Sequence, residues 1–475
     1  MSHPSPRLLT AGPVRLTLAY GELRYLYVGA REIVRRVYFC VRFHDKWDTA
    51  PNEVTHCEVT ESDGAFTVEL AARCVIGPVD YGWTARIAGT ADGTISYSVR
   101  GAAVGECTQI RRCGIQLLLG ADAVIGQPFT MTRPDGTAQR AELQVRLDPE
   151  VLPMQFRTLC YSTREGIVVS ADFAGTNFGY EDQRNFNDSS FKFFSASPHT
   201  YPTLAPGAAA ESSVTLSLTH IPAALPAPAA LSACVGSITG GARIPRLVEA
   251  AASTPDSLFI GLNKNRPAQW DAKLHTWGFT PAVNLYDDDT FIENTAAVLD
   301  QLRTARIFTD PHGLDVGCRL DPVHFESLHP RPARDARTHT AFAAAWLAAF
   351  VKYAAMGGAL EVAFRVGPGP VDSIRIALAA LAGRLVRAVA VTAPGHPSVE
   401  AFGVVDTDLA TTLFFVNTTA QALRLPVENI ALRPHTVRRV SDVHRWENTI
   451  SLPASTDGTL TLDLGPYEVC AVFPA

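Results

Sequence analysis

Residues 14–29 read VRLTLAYGELRYLYVG, with apolar and polar side chains alternating on either side of Tyr20-Gly21. A period of two is the pattern of strands that put one face into a core and the other toward water. The rhythm returns in GAFTVELAARCVIG (64–77), GWTARIAGTADGTISYSVRG (82–101), AELQVRL (141–147) and SSVTLSLTH (212–220). Asp63-Gly64, Asp92-Gly93 and Asp135-Gly136 stand at hairpin spacing between such runs, and Asp-Gly supplies the positive φ angles that tight hairpin turns require. Residues 1–220 are therefore expected to form a large antiparallel β-sandwich.

Working outward, IPAALPAPAALSA (221–233) is a Pro/Ala-rich connector. After it the rhythm changes. ALSACVGS, SLFIGL, FTPAVNLY, LDVGCRL and EVAFRV are short apolar runs, each followed by a helical stretch. The clearest helices are expected at 291–306 and 338–355, with a third at 374–387. Alternating strand and helix predicts a parallel α/β layer over 234–388. A closed eightfold barrel takes about 250 residues, more than this segment holds. From 389 to 475 the chain returns to strands, in AFGVVD, TTLFFVNTT, LRLPV, TLTLDLG and YEVCAVF, and reads as a small C-terminal β-domain.

A chain of 475 residues suits about three domains at roughly 150 residues each. Its 47% hydrophobic and 19% charged residues exclude a disordered chain. A net charge of −6 and a pI near 6.1 give no footprint for nucleic acid. No apolar run reaches the ~20 residues of a membrane helix, and MSHPSPRLLTAG lacks the regions of a secretory leader. Nine scattered cysteines with no CxxC pair read as reduced, mostly buried thiols. A cytoplasmic protein is expected.

No serine elbow, P-loop, HExxH or dinucleotide fingerprint occurs, and Gly367-Pro368-Gly369-Pro370 is a turn. Asp321, His324, Glu326 and His329 could suit a metal by residue type, but their spacing matches no motif and they read as a surface loop. No metal and no cofactor is expected.

The densest polar stretch is GYEDQRNFNDSSFKFF, 179–194. Aromatic residues bury, so the charges among them are expected to be at least partly buried and paired. One reading is a structural ion-pair network. The other is the wall of a polar pocket, where Glu181 or Asp182 activates water and Arg184 and Lys192 stabilise charge. Asn185, Asn187 and Asp188 would then position a ligand. A second polar stretch, RFHDKWD (42–48), makes His44 a further binding candidate beside Asp45, Lys46 and Trp47.

GYEDQRNFNDSSFKFF resembles the EDQRNWTDASFKTY hallmark of the D-apionate lactonase family, hydrolases of sugar-acid lactones. VRFHDKWDTAPNEV resembles that family's VRD-x-x-W-x-T segment, and GFTPAVNLYDDDTFIE its F-x-x-x-P-Q-V-H-A-F-D segment. AFAAAWLAAFVKYAAMGGALEVAF resembles the later helix and strand leading to T-Y-x-E-T. The resemblance implies an N-terminal β-domain, a TIM-barrel-type middle domain and a C-terminal β-domain. It also implies a middle domain shortened by roughly two βα units between VGSITGG and SLFIGLN. Gly261 and Arg365 stand opposite the family's two barrel glutamates, and Asn284 opposite its histidine, which marks Asn284 and Arg365 as substrate-binding candidates.

The fold class expected is thus multidomain β and α/β: an N-terminal antiparallel β-sandwich, a shortened TIM-barrel-like domain and a small C-terminal β-domain. The function expected is a metal-independent hydrolase of a small polyhydroxylated lactone or sugar-acid-type substrate. The alternatives are a cyclase, dehydratase or isomerase recruited from the same scaffold, and a non-catalytic binding or partner protein. A small-molecule substrate is the expected partner, with no nucleic acid or membrane. A homodimer is one way to cover the edges of an incomplete α/β layer.

Overall fold

The computed structural model describes residues 5–44, 48–149, 152–196, 201–251, 257–266, 274–309, 317–326, 335–365, 369–393, 395–396, 398–406, 410–431, 434–442, 446, 449–452 and 457–474. The chain divides into two compact units. The first takes Met1–Gln183 and Ser190–Pro228; the second takes Arg184–Ser189 and Ala229–Ala475.

The first unit is built from two antiparallel sheets. One has the spatial order Arg7–Ala11, Val14–Ala19, Glu22–Val28, Arg31–Phe43, Cys107–Gly120, Ser190–Ala196, Asn177–Asp182 and Leu152–Phe156. The other runs Ala138–Glu142, Pro128–Thr132, Thr158–Ser162, Val168–Ala174, Ala209–His220, Ile95–Ala103, Val79–Gly89, Ala65–Ile76 and Glu53–Ser62. The alternation read from the sequence is the alternation seen: along Ala65–Ile76, Phe66, Val68, Leu70, Ala72 and Cys74 are buried. Both sheets contribute to one apolar core, as a sandwich requires. Phe129, Phe156, Phe173, Phe178, Tyr180 and Phe193 fill it with tilted and edge-on ring contacts. Phe193→Ala, at a position with no exposure, is expected to cost about 3–5 kcal/mol, measured as a lowered midpoint of chemical denaturation.

Arg31–Phe43 departs from simple alternation, because it is buried on both faces. Ile33, Val37, Phe39, Val41 and Phe43 enter the core, while Arg36, Tyr38, Cys40 and Arg42 are buried with the opposite parity. This polar yet buried face carries the site described below.

The second unit contains a four-stranded parallel sheet in the order Arg246–Glu249, Glu361–Phe364, Gly317–Val323, Leu274–Phe279. Strands of this kind are buried on both faces, as all four residues of Glu361–Phe364 are. Helix Ala341–Gly357 packs on the sheet through Trp346 and Phe350, against Phe279, Phe325 and Phe364. It also meets the strands Ser232–Arg243, Val399–Val405 and Thr411–Asn417 of a nine-stranded sheet. Apolar neighbours on both sides account for a helix that is buried nearly all round. The helix stops at Gly358, whose φ of +77° is the left-handed cap that glycine adopts without strain.

Several expectations for this unit are corrected. The first and last strands of the parallel sheet are neighbours, as barrel closure demands, yet Arg246–Glu249 and Leu274–Phe279 lie at opposite edges. Among the described residues the sheet is therefore an open arc, and no closed barrel is seen. The edge at Leu274–Phe279 is covered within the chain, since Gly278 N–H donates to Ser257 O at 2.7 Å. Ser232–Arg243, expected as the first α/β strand, pairs with Leu385–Thr392 and Leu423–Glu428 in the nine-stranded sheet. Ala233 and Val235 are buried while Cys234 is exposed, the signature of a strand with one wet face. The SLFIGL run, read as a strand, forms the short helix Phe259–Lys264, with Phe259 against Trp277. The helix expected at 291–306 is two, Asp288–Asn294 and Ala297–Thr309, parted where the Thr295 hydroxyl donates to Ile292 O. The helix expected at 374–387 is Pro370–Ala379, and Leu385–Arg387 already belong to the next strand. Val399–Val405, Thr411–Asn417, Leu423–Glu428, Thr459–Leu464 and Val469–Pro474 fall where the sequence places strands, His435–Val440 and Thr449–Leu452 add to them, and the core holds Phe415, Val427, Leu462, Cys470 and Val472.

Candidate functional site

Cross-strand register assembles the site on the first unit's polar sheet face. Arg42 stands directly opposite Arg112, and Lys192 directly opposite Glu181. Partners in register project to the same face. Lys192 Nζ lies 3.2 Å from Glu181 Oε2, and Gln183 Nε2 donates to the same oxygen at 2.7 Å. The Arg112 guanidinium sits 3.8 Å above the Phe194 ring, with Lys192 Nζ 5.5 Å from that ring. Arg42 and Lys192 are buried, whereas the Glu181 side chain is 21% exposed and Arg112 is half-buried. A solvent-facing carboxylate thus rests among three cations.

The electrostatics follow from this placement. Burial opposes the charge on Glu181, but Lys192, Arg112 and Arg42, with the Lys192 hydrogen bond, outweigh it and hold its pKa below the ordinary value. The carboxyl is therefore ionised throughout the neutral range. Burial, and then the like charge of Arg42, push the Arg112 pKa down to about 10 against the pull of Glu181. Arg112 remains cationic at neutral pH.

The polar segment that looked continuous in sequence is divided in space. Asp182 has the parity of Phe178 and Tyr180, which enter the core, and is itself buried; it does not share the face of Glu181. Arg184–Ser189 belong to the second unit and form a buried network there. Arg184, with no exposure, pairs with Asp300 at 3.0 Å. Gln301 Nε2 donates at 2.8 Å both to Arg184 O and to Asn187 Oδ1, while Trp277 Nε1 donates to Gln301 Oε1. Asn187, in the left-handed region at φ 59°, donates to Thr280 O, just beyond the C-terminal end of strand Leu274–Phe279. Asn185 Oδ1 accepts from Asn263, and Asp188 Oδ2 from Asn284.

Arg184, Asn185, Asn187, Asp188 and Asn284, expected to line a substrate pocket, are thus buried, and each makes a side-chain contact with protein. Gln301→Leu, which removes the partner of two buried groups, Asn187 Oδ1 and Trp277 Nε1, is expected to cost about 1–3 kcal/mol for each, read as a lower denaturation midpoint.

The D-apionate lactonase N-terminal domain is the description of the family model that matches residues 1–221. This half of the chain resembles the D-apionate lactonase family. The D-apionate lactonase of Brucella anthropi is 31% identical over 192 residues, which are 40% of this chain and 31% of that protein. The chain thus matches about a third of that relative's length. Solved structures include CelM2, a bifunctional glucanase-xylanase from a metagenome library, with TM-score 0.34 and 13% identity over 43% of this chain and 44% of that one. The GH51 arabinofuranosidase from Xanthomonas axonopodis pv. citri gives 0.34 and 9% identity, over 43% and 53%.

Glu181 and Lys192 lie within the segment similar to D-apionate lactonases, and so do the two arginines that the sequence reading did not select. Arg42 was visible in RFHDKWD. Arg112 follows Arg111 inside QIRRCGIQ, and a basic pair within a strand was the signal that could have found it. His44 closes Arg31–Phe43 in a left-handed turn, its N–H donating to Gln109 O; no described contact joins its ring to Glu181. Asp45, Lys46 and Trp47 lie outside the described residues.

In the second unit, Arg365 pairs with Glu326 at 3.0 Å, and Gly261 sits in helix Phe259–Lys264. Asp321 pairs with Arg319, His329 is outside the described residues, and among those described no group of three or more His, Cys, Asp or Glu could hold a metal ion. A groove of about 480 Å³ lies elsewhere in the first unit, lined by Arg7, Tyr20, Gly21, His56 and Cys57, and none of the candidate residues borders it. Among the described residues no helix is long and apolar enough to cross a membrane.

Proposed function

We propose that the chain is a hydrolase that opens a small polyhydroxylated lactone of the sugar-acid type on the Glu181 face. The observation that carries this reading is a part-exposed, ionised carboxylate held among Lys192, Arg112 and Arg42, inside the segment similar to D-apionate lactonases. Water hydrogen-bonded to Glu181 attacks the lactone carbonyl carbon. One water proton passes through Glu181 to the ring oxygen as the acyl–oxygen bond breaks, and the hydroxy acid so formed releases the other to solvent, leaving a hydroxy carboxylate. The oxyanion of the tetrahedral intermediate is stabilised by Lys192 and Arg112. With its pKa lowered, Glu181 is a weak base, so its main contribution is to orient the water. Lactones, more reactive than amides, need little more.

On this reading the open parallel arc is what remains of a shortened barrel, and the nine free cysteines fit a reducing, cytoplasmic setting. A second reading is favoured by Arg365, which the sequence resemblance sets opposite a family glutamate and which is paired with Glu326: the scaffold serves a cyclisation, dehydration or isomerisation. Turnover of sugar-acid lactones by the purified chain, followed as proton release, tests the first reading; its absence at every lactone tried, with turnover of an unsaturated or cyclic product, decides for the second.

The lowered pKa of Glu181 also sets a pH profile. A depressed carboxyl contributes stability above its unfolded value of 4.5 and loses it as pH falls through the folded pKa. The acidic limb of kcat/KM is expected below pH 4.5, with a plateau through neutrality. A limb near pH 6 or 7 would exclude Glu181 as the group observed.

A further inference from the structure

We propose that Arg42 and Arg112 form a carboxylate subsite beside Glu181, through which the protein binds short sugar acids as anions. This rests on the reading of the Glu181 face as the reactive site and names the chemistry recognised there. Three features of the first unit support it. The two arginines are register partners on adjacent strands, so their side chains leave the same face of the sheet side by side. The Arg112 guanidinium rests over Phe194, 3.8 Å from the ring centroid, which limits the freedom of its fork. A carboxylate is matched by such a fork through two parallel N–H···O bonds. Arg112 is also only half-buried and Glu181 is part-exposed, so Arg112 can be reached from solvent, whereas Arg42 is buried and acts on the anion through its charge.

The energetics run the same way. Bringing two guanidinium groups together in a buried place costs free energy, seen in the downward shift of Arg112 caused first by burial and then by Arg42. An anion arriving beside Arg112 relieves that repulsion. The single negative charge of Glu181 is already shared with Lys192 at 3.2 Å. The subsite therefore suits one carboxylate with hydroxyl groups beside it, which Glu181 and Gln183 can engage. Ring opening creates such a group, so the product is expected to compete with the lactone.

Calorimetric titration of the full chain with D-erythronate, and with the neutral polyol erythritol, at low ionic strength tests the subsite. Erythronate is expected to bind and erythritol not to. Arg112→Met, which keeps the stem over Phe194, is expected to weaken erythronate at least tenfold, and Arg112→Lys several-fold. Glu181→Gln is expected to hold or tighten it. Equal binding of erythritol, no binding of erythronate, or affinity unchanged in both Arg112 variants would overturn the subsite. If Arg112→Met does not fold, Arg112→Lys decides by the same criterion. Erythronate binding without turnover of any lactone removes the hydrolase reading and leaves the subsite. Lactone turnover without erythronate binding does the reverse.

Discussion

Glu181→Gln is expected to lower kcat/KM for lactone opening by about 10²- to 10⁴-fold, the range for loss of a positioned acid–base group. The substitution is nearly isosteric. It keeps an oxygen able to accept from Gln183 and Lys192, and the strand Asn177–Asp182 stays paired to Ser190–Ala196. What it removes is the negative charge that orients and deprotonates water. Leaving Lys192, Arg112 and Arg42 without their carboxylate adds like-charge repulsion, so some loss of stability is expected too. The kinetic effect is separated from it by comparing variants well below their melting temperatures. Lys192→Met provides the complement: it removes a cation near the oxyanion and is expected to lower kcat more than it changes KM. A Glu181→Gln protein that turns over lactone as fast as the wild type would end the role assigned to this carboxylate.

Asp300→Ala is expected to destabilise the second unit by about 3–5 kcal/mol, because it removes the carboxylate paired with a fully buried guanidinium. Arg184 has no exposure, and its pairing with Asp300 is 3.0 Å long. For a unit of this size the change corresponds to a fall in melting temperature on the order of 10 °C. Arg303, 3.6 Å from Asp300 and more than half exposed, loses little, since an exposed pair contributes about 0–1 kcal/mol. Replacing both partners, as Arg184→Met with Asp300→Leu, is expected to recover much of the loss. Melting of Asp300→Ala within a degree of the wild type would show that the pair does not hold the Arg184–Ser189 segment in place.

Much of the architecture is legible in the chain because it depends on local periodicity. Alternation marked the strands of the first unit, and Asp-Gly pairs marked turns between them, since side-chain period and φ preference are properties of a few adjacent residues. The α/β region was harder to read for a physical reason. A run of four to six apolar residues buries equally well as a strand or as a short helix. Phe259–Lys264 became a helix through its contact with Trp277, and Ser232–Arg243 joined the nine-stranded sheet through partners more than 140 residues away.

For the site, composition alone determined that charges lay among aromatic rings near position 185 and that they would be paired. It could not say which of them face water. Glu181 and Lys192 meet because antiparallel register sets them opposite each other, whereas Arg184, three residues after Glu181, pairs with Asp300 within the second unit. Arg42 and Arg112 are 70 positions apart and adjacent only across two strands. Sequence order determined the residue types and the strand rhythm; the tertiary structure decided accessibility and partnership, because burial and Coulomb energy depend on distances that no local pattern contains.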